Sequence, residues 1–85
     1  LPEAVEGRAT FSRRIPRATS CQVDARLNAP VGIPVTVTNL DNSRSVRCIN
    51  DTGVFDPDHE IVLHPDALAE IGDLTDAPLP VQISW

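Results

Sequence analysis

Apolar and polar residues alternate most clearly over Pro34-Val35-Thr36-Val37-Thr38 and again over Ser45-Val46-Arg47-Cys48-Ile49-Asn50, separated by the turn cluster Leu40-Asp41-Asn42-Ser43-Arg44. A period of two places alternate side chains on opposite faces of a strand. The pattern therefore predicts a β-hairpin with a polar tip. Val35, Val37, Val46 and Cys48 share the face turned to a core, and Thr36, Thr38 and Arg47 share the other.

Weaker runs of the same kind flank this hairpin. Val5 to Ser12 reads as a first strand, with Gly7 marking a bulge or a close approach. Ser12 to Ser20 is polar and interrupted by Pro16, with Ile15 its one large apolar residue, and reads as an exposed loop. Cys21 to Val23 is a short strand and Pro30-Val31-Gly32 a turn. Asp51 to Asp58 is loop-like, and Glu60 to His64 is a short strand. Pro65 at a first helical position, Asp66 in the first turn and the apolar set Ala67, Leu68 and Ile71 predict a helix that Gly72 ends. Asp73 to Pro80 is a loop, and Leu79 to Trp85 the last strand. About six strands and one helix follow, with no internal repeat at a solenoid period. For so short a chain a closed barrel removes exposed strand edges best, although periodicity alone does not separate it from an open sandwich.

Composition narrows the class. Eighty-five residues make one domain, 1–85, with a marginal core. Eight prolines disfavour a helical bundle. The net charge is −5 and lysine is absent. An acidic chain without a basic stripe is a poor partner for nucleic acid or an anionic membrane. No apolar run is long enough to span a bilayer. The arginines are nevertheless uneven: Arg8, Arg13, Arg14, Arg17 and Arg26 fall in the first third, and carboxylates dominate from Asp51 onward. That bias fits either a basic and an acidic side or a solvated mixed surface. The chain starts Leu1-Pro2-Glu3 without a methionine, as a processed product or excised domain would, so the missing leader does not argue against secretion. The two cysteines, Cys21 and Cys48, are either free buried thiols or a disulfide. A disulfide would close a loop of about 27 residues and contribute roughly 3 kcal/mol.

The stretch Val35-Thr36-Val37-Thr38-Asn39-Leu40-Asp41-Asn42-Ser43-Arg44-Ser45-Val46, followed by Ile49-Asn50-Asp51-Thr52-Gly53-Val54-Phe55, resembles the RlpA-like double-psi β-barrel domains. Those carry patterns close to VRVTNLxNGRSV and INDRGPF. Gly7-Arg8-Ala9-Thr10-Phe11 is similar to the first strand of that family, GxASWY, and Pro30-Val31-Gly32 to its LPFGT turn. Ile61 to Gly72 resembles its IDLSxxAAxxLG segment, and Pro80 to Trp85 its closing strand. The hairpin motif is the specific one.

The resemblance implies a mainly β fold, a six-stranded double-psi barrel with one short helix. It also implies export to the cell envelope, which favours the Cys21–Cys48 disulfide, and a groove for peptidoglycan or related wall polysaccharide. Some members are lytic transglycosylases, which need a proton donor for the leaving oxygen. Asp51 matches the family acid, and an Asp opening a loop equally often caps that loop. Thr10 matches a groove threonine. Three departures count against catalysis. The family histidine becomes Arg26, which neither donates nor accepts a proton at ordinary pH. The first loop, shortened to Arg13-Arg14-Ile15-Pro16-Arg17, has no carboxylate, and the aspartate of IDLS becomes Val62. The expectation is a glycan-binding domain with an incomplete catalytic site, using Thr10, Arg26, Asn50, Asp51 and Phe55. An active lytic transglycosylase with Asp51 as acid is the second reading, and a protein-binding module such as a secreted protease inhibitor the third.

Other constellations add little. Phe11, Phe55 and Trp85 are candidates for stacking on sugar rings, or for the core. Asp56, Asp58, His59 and Glu60 form an acidic cluster whose spacing is not that of an EF-hand, so a solvated loop is expected rather than a calcium site. His59 and His64 lack zinc spacing, with His64 placed near the helix start. Asn50-Asp51-Thr52 is formally a glycosylation sequon. Ser12 and Ser20 have no local histidine and acid to activate them. A monomer with no resident metal or cofactor is expected.

Overall fold

A computed structural model describes residues 4–24, 27, 29–51 and 59–85. Six strands, β1 (Ala4–Phe11), β2 (Ser20–Val23), β3 (Pro34–Asn39), β4 (Ser45–Asn50), β5 (Ile61–Leu63) and β6 (Leu79–Ser84), are joined by one short helix, α1 (Pro65–Ile71), between β5 and β6. They close into a barrel in the order β1-β5-β2-β4-β3-β6. This is the mainly β, six-stranded barrel with one helix that the sequence predicts.

Two of the pairings are parallel, β1 with β5 and β2 with β4; the others are antiparallel. Exchanging β1 with β4, β2 with β5 and β3 with β6 leaves the set of pairings unchanged. The barrel is thus two interleaved three-stranded halves. One end carries the connection between β1 and β2, the tip of the β3–β4 hairpin and α1. The other end carries the segments that follow β2 and β4.

The alternating pattern fills the interior. Ala9, Cys21, Val35, Val37, Cys48, Ile61, Leu63, Leu79, Val81 and Ile83 point inward and are buried, and Ala67, Leu68 and Ile71 of α1 complete that core. Val46, placed on the core face by its spacing, is only half-buried near the barrel end. Ile15 is buried as well and anchors an otherwise exposed loop. Cys21 and Cys48 form a disulfide between β2 and β4 (Sγ–Sγ 2.05 Å). Among the described residues no helix is long and apolar enough to cross a membrane.

Local chemistry sets the helix ends. Pro65 occupies the first turn, where its missing N–H costs nothing, and the Asp66 N–H donates to Nδ1 of the capping His64 at 3.0 Å. Gly72 ends α1 as expected, but its backbone is extended (φ −176°), so no left-handed turn requires glycine there. Space does: a Cβ at residue 72 would lie 2.8 Å from Leu79 Cδ1 and 3.1 Å from Asn39 Nδ2. A capped single 3-10 turn, Leu74–Asp76, interrupts the segment expected to be loop.

Gly7 is the close approach anticipated in β1. The Glu60 side chain lies against it, 2.6 Å from where a Cβ would sit. Glu60 Oε2 accepts the Arg8 N–H at 2.7 Å, and the Glu60 N–H donates to the Arg8 carbonyl at 3.1 Å. Glu60, expected to belong to a solvated acidic cluster, therefore latches the start of β5 onto β1.

Candidate functional site

Register places the outward side chains of four neighbouring strands in one row. Thr10 of β1 pairs with Val62 of β5, and Val62 pairs with Gln22 of β2. Gln22 neighbours Asp51, because Cys21 pairs with Asn50 and the Asp51 N–H donates to the Cys21 carbonyl at 2.7 Å. Three inter-strand spacings of roughly 4.8 Å separate the two ends of the row, about 14 Å in all. Thr10 and Gln22 are half-exposed, Asp51 is exposed, and Val62 is buried between them.

Thr10 and Asp51 thus fall on one line across the barrel wall. Arg26, Phe55 and the acids Asp56 and Asp58 lie outside the described residues. Asn50 takes a different role from the one its motif suggested. Its side chain points inward and is 4% exposed. Its Oδ1 accepts the Val23 N–H at 3.0 Å, and its Nδ2 donates to the carbonyls of Ala29 (3.0 Å) and Pro30 (3.1 Å). A buried amide committed to three backbone groups holds a segment in place and presents nothing to a ligand. The Asn50 carbonyl also accepts the Gly32 N–H at 2.8 Å, where Gly32 takes the left-handed φ of +86°. Asn50 fixes the segment before β3 and thereby the wall beside Asp51.

Gln22 is the residue that sequence reasoning missed. It lies in a short strand without a motif, and only the pairings of β2 with β5 and with β4 bring it between Val62 and Asp51. Phe11 and Trp85 are partly buried and pack against the core. Among the described residues no group of three or more His, Cys, Asp or Glu side chains could hold a metal ion.

Chemically the row offers a hydroxyl, an amide and a carboxylate along an extended line, with an apolar step at Val62. Such a line can donate and accept hydrogen bonds along a polyhydroxylated chain. Fold and row together define a β-barrel protein with a polar strip across its outer wall. No protein-family model matches the chain, and no curated protein matches it significantly.

Proposed function

We propose that this chain is an extracytoplasmic, wall-associated module of the RlpA-like double-psi type that holds peptidoglycan or a related polysaccharide along the row Thr10–Val62–Gln22–Asp51. The observation that carries the reading is that row: residues far apart in sequence present compatible polar groups in register on one outer surface. A disulfide in the barrel core is consistent with an oxidising compartment.

Binding rather than bond cleavage is the better-supported activity. A proton donor must lie within hydrogen-bond reach of the leaving oxygen and be paired with groups that stabilise the developing charge. Asp51 is exposed and within reach of solvent. The next residues along the row, however, are Gln22 and then Val62, which supply neither an ionisable proton nor a charge.

Retention on insoluble peptidoglycan tests the binding. Wild type should be retained, and Gln22→Ala and Asp51→Asn should each weaken retention. A wild-type protein that stays in the supernatant refutes the reading. Mass spectrometry of the soluble fraction tests the catalytic alternative. Release of anhydromuropeptides by wild type and not by Asp51→Asn would make Asp51 a catalytic acid.

A further inference from the structure

Two segments of this acidic chain contain no carboxylate. Residues 12–20 carry Arg13, Arg14 and Arg17, and residues 43–50 carry Arg44 and Arg47. The fold stitches these segments side by side. Ser20 pairs with Ile49, the Ile49 N–H donates to the Thr19 carbonyl at 2.7 Å, and the Ser20 N–H closes a turn on the Arg17 carbonyl at 3.0 Å. Ile15 is buried in the middle of the loop, and the flanking arginines stay on the surface. Arg13, Arg14, Arg17 and Arg47 are exposed, and among the described residues none of them forms an ion pair. The protein of net charge −5 therefore carries a run of exposed arginines, none of them ion-paired among the described residues, across the connection between β1 and β2 and the outer face of β4.

We infer that this patch binds an acidic polysaccharide, a linear glycan carrying phosphate or carboxylate groups at repeating intervals. The inference rests on the glycan-binding reading and adds the charge class of the glycan. Spread, exposed guanidiniums suit many weak contacts along a polymer rather than one small anion. The outward row of β4 runs from Arg47 through Ile49, 44% exposed, toward Asp51, so the patch continues into the proposed strip. Thr19, Ser45 and Thr36 place hydroxyls among the arginines. Nucleic acid fits less well. The described aromatics, Phe11 and Trp85, pack against the core instead of forming a stacking platform for bases.

The test measures affinity for soluble polygalacturonate and poly(glycerol phosphate) across ionic strength, with neutral chitin oligosaccharide and an oligothymidylate as controls. The variant R17Q/R47Q is compared with A69E/Q82E. Each lowers the net charge by two, from −5 to −7, and only the first touches the patch. Wild type should bind at least one acidic glycan with affinity that falls as salt rises. R17Q/R47Q should lose roughly fivefold or more, and A69E/Q82E should lose about twofold at most through the general field. Unchanged melting temperatures confirm that both variants fold. Equal losses in the two variants, or no binding of either acidic polymer, overturn the inference. Tighter binding of the oligothymidylate also overturns it, in favour of nucleic acid. Retention on peptidoglycan that persists through any of these results leaves the broader glycan reading standing, whereas its absence refutes that reading by itself.

Discussion

Single residues carry more of this barrel than their positions in sequence suggest. Ser43 at the hairpin tip has a positive φ of 63°, a region that costs a side-chain-bearing residue roughly 1–2 kcal/mol. Ser43→Gly should stabilise the protein by about 0.5–1 kcal/mol after glycine's own entropy cost, measured by urea denaturation. Asn50 works the other way. Removing its amide leaves the Val23 N–H and the Ala29 and Pro30 carbonyls without that partner. Asn50→Ala should cost about 2–3 kcal/mol, and Asn50→Asp at least as much, because a carboxylate would face two carbonyl oxygens. A loss below about 0.5 kcal/mol in Asn50→Ala would show that the bracket is not structural. That role was not legible in the sequence. The motif marks Asn50 as special, but only burial and three hydrogen-bond partners separate a bracket from a ligand contact.

At the scale of elements, turn and cap chemistry was largely legible because it is local. His64, Pro65 and Gly72 bound α1 where the sequence placed them. The 3-10 turn after it was not anticipated. Asp73 accepts from the Thr75 N–H at 3.0 Å and from the Thr75 hydroxyl at 2.9 Å. Those bonds, the backbone one first, hold the Asp73 carboxyl below its ordinary value of 3.8. A depressed carboxylate contributes stability above its unfolded value and loses it as pH falls through the folded one. Wild type should therefore exceed Asp73→Asn in melting temperature at neutral pH. The gap should close on acidification below about pH 4. A gap that stays constant with pH would remove the charge from this cap. Asn39 and Asn42 join two elements, since both side-chain amides donate to the Ile71 carbonyl, at 2.7 and 2.9 Å. The hairpin tip thus supplies partners for the carbonyl end of α1.

For the whole molecule, closure is the decisive event. Every strand has two neighbours, so among the described residues no strand is an edge over its whole length. The Cys21–Cys48 disulfide ties the two interleaved halves together across the parallel β2–β4 pair. Its removal in Cys21→Ala/Cys48→Ala should cost roughly 3 kcal/mol through loop closure alone. Denaturant titration should show wild type shifted by reductant to about the stability of the double variant, and the variant unaffected by it. A reductant-insensitive wild type would mean that the bond contributes little.

The alternation of Val35 and Val37 against Thr36 and Thr38, the polar tip between two strands, and the Pro65-to-Gly72 helix follow from the chain itself. Period, turn chemistry and capping act over a few residues and are written in neighbouring side chains. The partners of each strand, the row joining Thr10 to Asp51 through Val62 and Gln22, the latch of Glu60 on Arg8 and the meeting of two arginine segments were decided only by the tertiary structure. Their partners lie up to 80 residues apart, as Ala4 and Ser84 do, and no local pattern records which distant strand a given strand will meet. That choice belongs to the closure of the sheet, where burying one common core and satisfying every backbone group select a single set of neighbours.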